Sequence, residues 1–185
     1  MSTPEHSAVF RLITLPCFVA AWLATSSVAV AQEAPQLGVE ATAEQVAGWS
    51  LSILPDGQGL PPGSGSVSAG EAVFNLKCVV CHGPEGQGGP NDQLVGGHGS
   101  LVGDTPVKTV GSYWPYATTV FDYIRRAMPF TQPLSLSDDE VYAVTAYLLA
   151  LNGIVGGDAV MDADTLPRVE MPNAGNFYWA YELSE

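Results

Sequence analysis

Cys78-Val79-Val80-Cys81-His82 decides the reading of this 185-residue chain. A C-x-x-C-H run is the attachment signature of a c-type haem. Two cysteines separated by two residues can each reach one vinyl group of the porphyrin and form a thioether bond. The histidine that follows is carried under the iron, where a ring nitrogen becomes the proximal ligand. Two other chemistries use these residue types. Zinc could draw on Cys78, Cys81, His82 and His98. Adjacent Cys81 and His82 suit a closed tetrahedral site poorly, however, and no second cysteine pair exists. A thioredoxin-like redox pair needs a βαβ setting, and no such pattern surrounds the run.

Helical patterns flank the motif on both sides. Upstream, Gly70, Phe74 and Cys78 lie four apart on one face of a helix expected over about 68–78, with Ser68 as its cap and Glu71 at the third position. The glycine would let another helix approach closely, and Phe74 would fill the crossing. Downstream, glycine and proline dominate to about Gly103 without periodicity. A loop of that length needs a reason, and wrapping a cofactor is one. A second helix is expected over 116–127, with Val120, Tyr123 and Ile124 as its apolar face and Pro129 just beyond its end. The third is the clearest. Ser137-Asp138-Asp139-Glu140 is a capping box with acids where the helix dipole favours them. Val141, Val144, Tyr147, Leu148 and Leu151 follow at core spacing, and Gly153 stops the helix. Far upstream, Thr42 and Gln45 bracket another capping box, and Val46 and Trp49 share a face behind it. Pro55-Asp56-Gly57 then ends that helix as a turn, and 60–65 is a loop. Strand signal is slight, so the fold class expected is all-α.

An iron held from one side by His82 needs a partner opposite. Met128, in Arg126-Ala127-Met128-Pro129, lies between two core helices at a suitable distance along the chain. A thioether is a soft ligand that raises the reduction potential, and the proline ends the helix and fixes the loop that presents the sulfur. Met161 and Met171 are rivals in the tail, and a core-filling methionine is the plain alternative. His98 reads as a surface loop residue that would serve as replacement ligand if Met128 failed. Trp114 and Tyr116 flank Pro115 and would wall the pocket, with polar tips able to reach a propionate. Arg125 and Arg126 have two readings. They either pair with Asp122 on the helix surface or bind a haem propionate. Lys77 adjoins the attachment site and would lie near the exposed haem edge.

Residues 1–31 read as a secretory signal. Arg11 closes a weak n-region, an apolar stretch runs from Leu12 to Val30, and Ala29-Val30-Ala31 has the small-x-small cleavage pattern. Its polar interruptions disfavour a stable membrane span, so no span is expected after cleavage and the periplasm is the expected compartment. Cleavage would remove Cys17 and leave Cys78 and Cys81 for haem. An N-terminal arm over 32–66, a haem domain over 67–155 and a C-terminal tail over 156–185 would follow. Hydrophobic residues make up 46% and charged residues 14%, which supports a packed core. The net charge of −13 repels nucleic acid and favours basic partners.

Taken together, the haem run, Gly70 with Phe74, Met128 and the Tyr147 helix resemble class I cytochromes c. The stretches 42–49, 60–65, 109–119, 122–130, 139–149 and Met171-Pro172-Asn173 are similar to the cytochrome subunit of sulfane dehydrogenase, from the Sox thiosulfate-oxidising system. The resemblance implies a class I cytochrome c fold with one haem c, bound covalently by Cys78 and Cys81 and axially by His82 and Met128. It implies a molybdopterin sulfane or sulfite dehydrogenase as partner and a downstream cytochrome c as acceptor, with the chain not catalytic alone. Some sulfane dehydrogenase cytochromes carry two haem domains, whereas this chain has one attachment run. A free electron carrier, the haem subunit of another periplasmic dehydrogenase, and a haem enzyme acting at iron are the alternatives.

Overall fold

Ser137 accepts from the Glu140 backbone N–H while the Glu140 carboxylate accepts from the Ser137 N–H, so the capping box forms as its sequence requires. The computed structural model describes residues 37–178; the expected signal lies outside them. The chain divides into Met1–Ala41 and Thr42–Glu185, and among the described residues the regular elements fall in the second unit. In chain order these are α1 (Ala43–Trp49), β1 (Ser64–Ser66), α2 (Val67–Lys77), α3 (Val79–His82), a 3₁₀ turn at Ser100–Val102, α4 (Ala117–Ala127), α5 (Asp138–Leu151), β2 (Val160–Asp162), and 3₁₀ turns at Leu166–Arg168 and Ala174–Asn176.

α5 is the central element. Val141, Tyr142, Val144, Ala146, Leu148 and Leu149 are all buried, and its burial runs nearly all round rather than along a single stripe. α2 packs on it through the two glycines β1 and α2 supply. A Cβ at Gly70 would collide with the Ala143 carbonyl oxygen, and one at Gly65 would collide with the Ala143 amide nitrogen. Phe74, fully buried, fills the crossing beside Tyr147 at a ring separation of 5.4 Å. α4 packs on α5 with Val120, Phe121 and Ile124 inside. Gly153, at φ 68°, follows the helix C-cap Asn152, as the left-handed end of a helix favours.

Three expectations shift. α2 starts at Val67 on Ser66, whose hydroxyl accepts from the Ala69 N–H; Ser68 lies in the first turn. The reason is β1, which holds Ser66 extended by pairing it with Val160. α1 has its predicted capping box but ends at Trp49, ahead of the turn at 55–56, and buries none of its residues. Tyr123, expected on the apolar face of α4, is about half exposed.

The arm and tail are joined to this core by specific bonds. β1 and β2 pair antiparallel, with Ser64 opposite Asp162 and Gly65 opposite Met161. The Tyr142 hydroxyl donates to the Pro61 carbonyl at 2.8 Å, and the Asp139 carboxylate accepts from the Ser64 N–H at 2.8 Å. Asn173 donates from its side-chain amide to the Tyr113 carbonyl at 2.7 Å. Among the described residues no helix is long and apolar enough to cross a membrane.

Candidate functional site

The end of α2, the single turn α3, the loop behind it and the facing sides of α4 and α5 enclose a cavity of about 670 Å³. That lies within the span of cofactor sites, about 300–1,000 Å³. Cys78, Cys81 and His82 line it from one segment and Met128 from another. Phe74, Val120, Ile124, Val144 and Leu148 supply apolar walls from the three long helices.

The geometry at His82 fixes its chemistry. Nδ1 lies 2.7 Å from the Asp92 backbone carbonyl oxygen. A carbonyl can only accept, so Nδ1 carries the proton and Nε2 keeps its lone pair for a metal. The loop that presents Asp92 is itself held. Asn91 N–H donates to the Cys81 carbonyl at 3.0 Å and Gly88 N–H to the His82 carbonyl at 2.9 Å. Asn152, at the end of α5, donates to the Leu94 carbonyl at 3.2 Å and accepts from the Gly96 N–H at 3.0 Å.

Met128 is the C-cap residue of α4, half-buried, with its N–H bonded to the Ile124 carbonyl. Its rivals lie elsewhere: Met161 is buried in β2 opposite Gly65, Met171 is buried in the tail, and neither lines the cavity. His98 is exposed and lines no part of it. Burial pushes the Cys78 thiol up to about 11, against a smaller opposing pull from Lys77. A thiol so poorly ionised is unlike the low-pKa cysteines of disulfide-exchange sites. No cluster of His, Cys, Asp and Glu able to hold a metal ion occurs among the described residues, which leaves the zinc alternative without support.

Trp114 lines the cavity and packs against Tyr123 at 5.7 Å between rings. Tyr116, Arg125 and Arg126 do not line it. Tyr116 is the N-cap residue of α4 and about two-fifths exposed. Arg126 pairs with Asp122, as the ion-pair reading had it, whereas Arg125 pairs with Asp138 at 2.9 Å, a partner that reading did not name. Lys77 does line the cavity and is paired to Glu140 at 2.7 Å. Sequence reasoning missed Lys108, Leu94, Val110, Phe130 and Leu136, all lining residues. Only Lys108 carried a signal, as a rare cation in an acidic chain.

Two thiols, one imidazole with a free Nε2, one thioether and an apolar wall are the donor set of a c-type haem, and they fit that group. A helical fold closing on such a cavity defines a cytochrome c. Comparison with known proteins agrees. The family model for cytochrome c oxidase, cbb3-type, subunit III matches residues 65–148. A thiosulfate dehydrogenase of Psychrobacter arcticus is 32% identical over 113 residues, covering 56% of this chain; the chain spans only 34% of that relative. A chain in the crystal structure of the sulfane dehydrogenase SoxCD from Paracoccus pantotrophus is 48% identical, with a TM-score of 0.74, over 78% of this chain and 72% of that one. The chain belongs to the class I cytochromes c, close to the cytochrome associated with SoxCD.

Proposed function

We propose that this chain is a periplasmic cytochrome with one covalently attached haem, working as the electron-transfer subunit of a molybdenum-dependent sulfane or sulfite dehydrogenase. On this reading residues 1–31 direct export and 67–155 form the haem domain. Cys78 and Cys81 make the thioether bonds, and His82 and Met128 are the axial ligands. Haem c, when bound, supplies reversible one-electron exchange. The protein's share is to orient the His82 ring through the Asp92 carbonyl, to deliver a sulfur from the end of α4, and to exclude water with Phe74, Ile124 and Leu148. His82 and Met128 would together hold the iron from separate segments, an arrangement that would suit electron exchange and would offer a substrate no free place on it. The electrons then pass on to a downstream cytochrome c.

The observation that carries the reading is the convergence of His82 and Met128, from separate segments, on the cavity that holds both cysteines. The partner rests on the likeness to SoxCD. The similarity to thiosulfate dehydrogenase favours a second reading, catalysis at the iron itself.

Two measurements test this. Met128→Ala, matured in cells able to attach haem, should lose the weak red-edge band of a thioether-ligated ferric haem and show a lower reduction potential. An unchanged band and potential would overturn the ligand assignment. Purified alone, the wild type should not oxidise thiosulfate or sulfite; it should do so only with a molybdenum subunit that travels with it. Turnover by the isolated chain would establish the second reading.

A further inference from the structure

Among the described residues two lysine side chains, Lys77 and Lys108, and no arginine line the cavity. They differ in what they face. Lys77 adjoins Cys78 and is engaged by Glu140 at 2.7 Å. Lys108 comes from the segment before α4 and has no carboxylate within ion-pair distance among the described residues. Its ammonium instead lies 5.0 Å from the centre of the Tyr113 ring. A cation over an aromatic face is held in direction without being neutralised. The segment around it is cross-linked by hydrogen bonds. Thr109 N–H donates to the Ser112 hydroxyl at 2.9 Å, and that hydroxyl donates to the Val107 carbonyl at 2.6 Å.

A haem brings two propionate carboxylates into this cavity, on the edge of the macrocycle opposite its vinyl groups. A haem tied by its vinyl edge to Cys78 and Cys81 would direct its propionates away from the α2–α3 segment that carries Lys77. The chain carries a net charge of −13, so two more anions need local compensation. We propose that Lys108, aimed by Tyr113, binds a haem propionate and so holds the reduction potential up. This rests on the haem reading above. The other charged or titratable groups on the cavity wall are Lys77, already paired, Cys78, Cys81, His82, Asp92 and Tyr123, and none of them is an available cation. Trp114, on the same wall, can add an indole N–H donor to the same carboxylate.

A positive charge beside the porphyrin disfavours ferric iron relative to ferrous through their Coulomb repulsion. The potential should therefore follow the charge at this position. Potentiometry on purified holo-protein should rank wild type and Lys108→Arg together at the top, Lys108→Gln lower and Lys108→Glu lowest. The propionate bending band in resonance Raman should move in Lys108→Gln and return in Lys108→Arg. Lys108 is exposed, so these variants keep the core. Equal potentials across the series would overturn the inference, and so would a fall in Lys108→Arg matching that in Lys108→Gln, because that would mark a packing effect. A wild type without covalent haem would instead sink the functional reading beneath it.

Discussion

Gly70 shows how much one missing carbon decides. Its neighbour across the helix crossing is the Ala143 carbonyl, a backbone group that cannot swing aside as a side chain can. Gly70→Ala would gain about 1 kcal/mol of helix propensity. Against that stands a steric cost of about 3 kcal/mol or more, because two helix backbones must separate and Phe74 must lose its packing. The clash wins, so the denaturation midpoint of Gly70→Ala should fall well below that of the wild type. A higher midpoint would mean that α2 and α5 are not in contact at this residue. His82 is decided at the same scale. A single carbonyl oxygen, from Asp92, selects the tautomer that leaves Nε2 available.

At the scale of elements, Glu140 does two things: it caps α5 and it joins that helix to the end of α2. The hydrogen bond from Lys77 and then the Ser137 backbone N–H hold its carboxyl below the ordinary glutamate value. A carboxylate whose pKa is lower folded than unfolded stabilises the fold above its unfolded pKa, and that stability is lost as pH falls through the folded value. Glu140→Gln keeps the capping geometry and removes only the charge. It should be less stable than wild type by up to about 1 kcal/mol at neutral pH, the most a solvent-facing pair yields. The gap should close on acidification and shrink in high salt, as urea titrations at several pH values would show. The helix ends were legible because capping is local: Thr42, Ser137 and Gly153 each act within a few residues. Ser66 and Ser68 were not separable that way. Both are serines near the helix start, and the choice rests on a strand pairing with residues 160–162. The Arg126–Asp122 pair was legible from its i, i+4 spacing, but Arg125 was not, for the same reason. The Arg125 partner, Asp138, sits on another helix, and no pattern within α4 announces it. Of the candidate site, the C-x-x-C-H run and Met128, which the structure brings to one cavity, could be named from residue type and position. The cavity wall could not, because Leu94, Val110, Phe130 and Leu136 come from stretches without periodicity.

Across the whole molecule, the acidic balance and the arm-to-tail pairing set the behaviour. A pI near 4.3 means that a basic partner will be attracted over long range, with association that slows as salt is added. The β1–β2 pairing joins residues 64 and 162 across the entire helical core. Contacts so far apart in sequence cost loop-closure entropy before they return anything, so they tend to form after the helices they enclose. Met161→Ala, which empties a buried site in β2, should cost about 2 kcal/mol or more. That loss should emerge almost wholly as faster unfolding, with the refolding limb of a stopped-flow chevron unmoved. Slower refolding would instead place the pairing in the nucleus. The two short strands thus act as a latch: they contribute little to how fast the chain finds its native state and much to how long it stays there.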